Sequence, residues 1–136
     1  MVELCLHKER RELVGVAYFG ELAEGPPGLV HGGAISSVAD ICVAYLPYLL
    51  GKWGVTGSLT VNYVRPLPLL STVHVTSRFL GEDSEDDRRM RLAFDMNHLE
   101  DDGVASMRTR PFATAEALII IPKGGTANLG KSTIRH

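Results

Sequence analysis

From Leu29 to Gly51 the chain carries one carboxylate, Asp40, and no lysine or arginine. Within that run Gly33 to Leu50 is helix-compatible and apolar on nearly every side, the pattern of a helix buried on all faces. Such a helix has no solvent face of its own, so the rest of the chain must wrap it. Pro47 is expected to kink or end it. The length also raises a membrane span, but Gly32, Gly33, Asp40 and Pro47 interrupt the run. A mid-bilayer aspartate costs about 3 kcal/mol on insertion scales, so no stable membrane insertion is expected.

The flanking segments supply the wrapping. Glu12 to Phe19 reads as a short first strand, and Gly20 to Val30 as a turn-rich loop around Glu24-Gly25-Pro26-Pro27-Gly28, where proline and glycine stop regular structure. After the helix, apolar residues alternate with period two. In Val55 to Arg65, Leu59, Val61 and Tyr63 share one face, and Ser58, Thr60 and Asn62 the other. Thr72 to Leu80 and the segment around Met90, Leu92, Phe94 and Met96 alternate in the same way, and a last strand spans Phe112 to Ile121. The acidic run at 82–87 reads as a solvated hairpin tip, and Glu100 to Gly103 as a turn. Strand, helix, then four strands argues for an α+β domain in which an antiparallel sheet of five to six strands curls around one long central helix. Residues 1–121 form that single domain, and 122–136, glycine-rich and basic without periodicity, a flexible tail.

Sixteen acidic against fourteen basic residues give a net charge of -2, so no global field draws nucleic acid. The histidines at 7, 31, 74, 98 and 136 lack ligand spacing, and no metal is expected. Cys5 and Cys42 belong to no C-x-x-C or Cys/His cluster, which suits a reducing compartment. The opening MVELCLHKERR lacks the apolar core of a secretory signal and is not arginine- and serine-rich, so secretion is not expected.

A lone buried aspartate ordinarily pairs with an arginine or caps a helix. The two glycines eight and seven residues before Asp40 suggest another purpose. A helix beginning at Gly32-Gly33 offers unpaired backbone N–H groups with no side chain in the way and a dipole that favours negative charge, which is the physics of an oxyanion hole. Eight residues of helix separate Gly32 from Asp40 by about 12 Å, too far to hold one substrate atom within one chain. Two such helices packed antiparallel would bring the turn of one to the aspartate of the other, giving a dimer with two composite sites.

The string from Gly25 to Ile35, with His31-Gly32-Gly33 and Asp40 nine positions after His31, resembles the HGG-x6-D signature of hot-dog-fold thioesterases. Thr56-Gly57-Ser58-Leu59-Thr60-Val61-Asn62-Tyr63-Val64-Arg65-Pro66 resembles the strand and RP turn of the same group. Together they are most similar to the group containing thioesterase superfamily members four and five, over roughly Gly20 to Leu80. Some of the wider group carry an asparagine where this chain has Gly25. The resemblance implies an acyl-CoA thioesterase acting on medium or long fatty acyl chains. Asp40 is then the nucleophile or general base, the Gly32 N–H polarises the thioester carbonyl, His31 shapes the turn, and Thr56 holds the water or carboxylate. Alone, His31 would be a capping histidine and Thr56 an ordinary strand threonine.

Substrate contacts are expected at Gly33, Asn62 and Arg65, with Arg65 the best placed of the basic residues for the CoA phosphates and Tyr45 beside Val43 and Ala44 in an acyl channel. No cofactor is required beyond the coenzyme A of the substrate. The expected partners are the acyl-CoA and a second copy of the chain, in a homodimer or a pair of homodimers, in the cytoplasm or the mitochondrion. Two other readings share these residues: an acyl-thioester hydratase or dehydratase using His31 and Asp40 as an acid/base pair, and a non-catalytic acyl-CoA-binding regulatory protein.

Overall fold

Alternation of apolar and polar residues takes shape as six antiparallel strands, β1 (Val2–His7), β2 (Glu12–Tyr18), β3 (Val55–Tyr63), β4 (Thr72–Phe79), β5 (Arg89–His98) and β6 (Ala113–Ile120), around one helix, α1 (Gly32–Leu49). The computed structural model describes residues 1–81, 88–100 and 110–123. The acidic run at 82–87, most of the 100–103 turn and most of the C-terminal tail lie outside the described residues.

The strands form a single sheet in the order β1-β2-β4-β5-β6-β3. Its first strand was not anticipated. Val2, Leu4 and Leu6 do alternate with Glu3, Cys5 and His7, but the charged run that begins at Lys8 hides a six-residue edge strand. Gly15 of β2 permits the pairing, because a Cβ there would fall 2.0 Å from the Glu3 carbonyl oxygen. β3 leaves the end of α1 and crosses to the far edge, where β6 is its only sheet neighbour among the described residues.

The inner face of the sheet carries Leu13, Ala17, Val73, Val75, Leu92, Phe94, Met96 and Ile119, all essentially inaccessible. Against it α1 lays Ile35, Val38, Ala39, Cys42, Val43, Leu46 and Pro47. The alanines at 113, 115 and 117 of β6 keep the strand beneath the helix low. Ser77, the one buried polar residue among the described residues, donates to the Cys42 carbonyl at 2.9 Å and so needs no water. Burial pushes the Cys42 thiol up to about 12. Truncating Leu46, fully enclosed here, to alanine belongs to the class of change that costs about 2–5 kcal/mol.

Pro47 lies in the last turn of the helix, which ends at Leu49, near the expected point, and the chain turns back at Gly51 (φ 84), with the Lys52 N–H bonded to the Pro47 carbonyl. One expectation for the helix changes: it is not enclosed on all sides by this chain. Positions 33, 37, 41, 45 and 49, four apart on one stripe, are exposed, among them Ile41 and Tyr45 at 45% and Leu49 at 40%. By length and composition α1 passes for a membrane span, yet seven of its residues pack into the sheet.

Candidate active site

The chemistry-bearing residues lie where α1 runs beside the edge strand β3. Asp40 is half-buried on α1 and accepts a hydrogen bond from the Thr56 hydroxyl at 2.7 Å. Among the described residues no arginine or lysine pairs with it, so the ordinary explanation of a buried aspartate does not apply.

Strict alternation would put Thr56 on the face of Ser58, Thr60 and Asn62, away from the helix. A bulge prevents this. The β3–β6 register runs Thr56↔Ile119 and then Ser58↔Leu118, so Gly57 is an extra residue without a partner. One extra residue reverses the faces and turns Thr56 inward, on the side of Ile119 and the helix. A glycine inside a strand was the available signal.

His31 is the N-cap of α1. Its backbone is extended (φ -74, ψ 151) and its Nδ1 accepts the Ala34 N–H at 3.0 Å, which leaves the ring proton on Nε2 when the imidazole is neutral. The Ile35 N–H reaches the His31 carbonyl. Of the first four helical donors, the N–H groups of Gly32 and Gly33 alone have no acceptor among the described residues. Side chains at either position would crowd the site: a Cβ on Gly33 would lie 3.0 Å from His31 Nδ1, and one on Gly32 3.2 Å from the Tyr63 ring.

Gly25 underlies the cap. A Cβ there would approach His31 Cβ to 2.5 Å and Cα to 2.8 Å, so the glycine lets the loop pass directly under the histidine. That loop is held by Gly28 N–H to Glu24 (2.9 Å) and by a backbone bond from Gly25 N–H to the Leu29 carbonyl (2.9 Å).

The remaining expected residues scatter. Arg65 stacks over the Phe112 ring, 3.7 Å from its centroid, and donates from Nε to the Arg110 carbonyl at 2.8 Å, so its guanidinium is already engaged in holding the chain after β3. Asn62 falls on the opposite face of the sheet, across from Thr114, and does not join Asp40 and the glycines in this chain. Tyr45 lies on the exposed stripe of α1 against Tyr48, and Val43 is core, not channel lining. Two apolar recesses flank the glycine turn. One, about 350 Å³, is lined by Pro26, Leu29, Gly32, Ile35, Tyr63 and Arg65, and a more open groove of about 650 Å³ by Tyr18, Leu22, His31, Ala34 and Ser37. No cluster of His, Cys, Asp or Glu suited to a metal occurs among the described residues.

Comparison with known proteins agrees with this geometry. The model of the thioesterase superfamily matches residues 27–81, the stretch from the Pro-Gly loop through β4. Acyl-coenzyme A thioesterase THEM4 of Bos taurus is 30% identical over 112 residues, 81% of this chain; the chain spans 45% of that relative's length. Among solved structures, the thioesterase superfamily protein RHA08564 superposes with a TM-score of 0.71 at 27% identity, covering 88% of this chain and 55% of that one. A hypothetical thioesterase of Streptococcus pneumoniae, solved with coenzyme A, has the same fold at a TM-score of 0.72 and 16% identity, covering 89% and 85%. That protein has also been solved with an aspartate, and separately a threonine, changed to alanine. Residues 27–81 thus match the thioesterase superfamily model, and the sheet wrapped around one helix is the hot-dog fold of these structures.

Proposed function

We propose that the protein is an acyl-coenzyme A thioesterase, hydrolysing medium- or long-chain fatty acyl-CoA to free acid and CoA at a site shared between two chains. The observation that carries this is the arrangement on one helix of two N–H donors without an acceptor among the described residues, Gly32 and Gly33, and a carboxylate, Asp40, whose hydrogen-bond donor on β3 is a hydroxyl and not a cation. Donors aimed at the thioester oxygen stabilise the charge that develops there, and Asp40 either takes the proton of an attacking water or attacks the carbonyl itself. Thr56 keeps that carboxylate in one orientation. The thiolate of CoA leaves without a strong acid.

Donors and carboxylate are about 12 Å apart along α1, so one chain does not complete the site. The exposed stripe of Ile41, Tyr45 and Leu49 and the edge of β3, which has no second sheet neighbour among the described residues, supply a surface on which a second copy would pack with its helix antiparallel. The recesses beside the turn provide apolar walls for an acyl chain and a pantetheine arm. The activity named for the bovine relative and the coenzyme A held by the pneumococcal structure are consistent with this substrate class. The hydratase reading asks His31 to exchange protons with substrate through Nε2, since its Nδ1 accepts the Ala34 N–H.

The test is thiol release from a series of acyl-CoAs, run beside an enoyl-CoA hydration assay. Wild type should release CoA and Asp40→Asn should lose turnover by at least about a thousandfold while remaining folded. Undiminished hydrolysis in Asp40→Asn would overturn the assignment, and hydration without hydrolysis would select the other enzyme.

A further inference from the structure

We propose that Tyr63 is a positioning residue for the glycine turn, a role that rests on the thioesterase reading above. The Tyr63 hydroxyl donates to the Gly32 carbonyl at 3.1 Å and is also hydrogen-bonded to the Ser36 hydroxyl. With the phenolic proton committed to the carbonyl, Ser36 is the donor in the second bond. The Gly32 carbonyl and the Gly33 N–H belong to one planar peptide unit, so a bond to the oxygen fixes the direction of the N–H. It also polarises that unit and strengthens the N–H as a donor.

The turn needs outside support. Two successive glycines leave the backbone its widest conformational freedom, and a Cβ would press on the Tyr63 ring at Gly32 and on the His31 imidazole at Gly33. Their peptides are restrained by polar contacts instead: Tyr63 on the Gly32 carbonyl, Ser37 on the Gly33 carbonyl at 2.8 Å, and His31 on the Ala34 N–H. Of these, only Tyr63 comes from outside the helix and its cap. Through the bulge at Gly57, Thr56 and Tyr63 share the inner face of β3, one bonded to Asp40 and the other to the glycine turn. In a dimer with composite sites, one β3 strand therefore supports the carboxylate of one site and the oxyanion donors of the other.

The experiment is steady-state hydrolysis of decanoyl- and palmitoyl-CoA by wild type, Tyr63→Phe, Ser36→Ala and the double variant, with Asp40→Asn as the dead reference. Tyr63→Phe keeps the ring and loses one hydroxyl; kcat should fall about tenfold with KM within about twofold, the size expected for one hydrogen bond acting only as charge develops. Ser36→Ala should reduce kcat less, and the double variant no further than Tyr63→Phe, because both act through one chain of bonds. The Gly33 amide proton resonance should move in Tyr63→Phe while the β5–β6 amides stay in place, a change that a loss of general stability would not confine to the turn. Wild-type kcat in Tyr63→Phe beside an inactive Asp40→Asn would overturn the role and leave the thioesterase reading standing. Absence of hydrolysis by wild type would overturn the reading itself. Should Tyr63→Phe not fold, Ser36→Ala decides: an unchanged kcat and an unmoved Gly33 amide count against the proposal.

Discussion

At the scale of single residues, His31 does its work as a cap. Its Nδ1 satisfies Ala34 and so leaves the two glycine N–H groups as the open donors. His31→Ala should lower stability by about 1 kcal/mol, the usual cost of losing an N-cap, read as a fall in the urea midpoint at unchanged m. A variant with an unaltered midpoint would mean that the cap does not hold the turn. Asp40 was legible in the sequence because one carboxylate in an apolar run is conspicuous, and Gly32 because of its spacing from it. Tyr63 was read only as an apolar position on an alternating strand, since its hydroxyl's partners, Gly32 and Ser36, lie 31 and 27 residues away. Arg65 drew attention as a cation, and its stacking on Phe112 depends on the fold bringing β6 beside β3.

Among the elements, β3 departs furthest from its expected form. The face assignment of Ser58, Thr60 and Asn62 holds, but the bulge at Gly57 breaks the alternation one residue before it and carries Thr56 to the helix side. Alternation alone cannot reveal where a strand holds an extra residue, although glycine in the interior was a hint. Thr56→Val, which keeps the shape of the side chain and loses the hydroxyl bonded to Asp40, should lower kcat about tenfold. Wild-type turnover in Thr56→Val would show that this bond does not hold the carboxylate. α1 was readable in extent to within a residue at each end, and its Pro47 was tolerated because the break lies in the final turn. β1 stayed hidden because it is a short edge strand followed at once by the charged run Lys8 to Glu12.

On the scale of the whole molecule, what the sequence presented as a helix enclosed on every side is a helix enclosed on three. The stripe of Ile41, Tyr45 and Leu49 reads as core because, in the proposed assembly, a second chain makes it so. One chain could not disclose this, since the sequence does not say which chain covers an apolar face. The most direct test is complementation between two inactive variants: Asp40→Asn, lacking the carboxylate, and Gly32→Pro, lacking an oxyanion donor at a position where the first turn accepts proline. Each alone should form an inactive dimer. Randomly mixed chains should recover about a quarter of wild-type activity, because half the dimers are mixed and each of those holds one intact site of two. Mixed dimers with no recovered hydrolysis would contradict a site built from the aspartate of one chain and the glycine turn of the other.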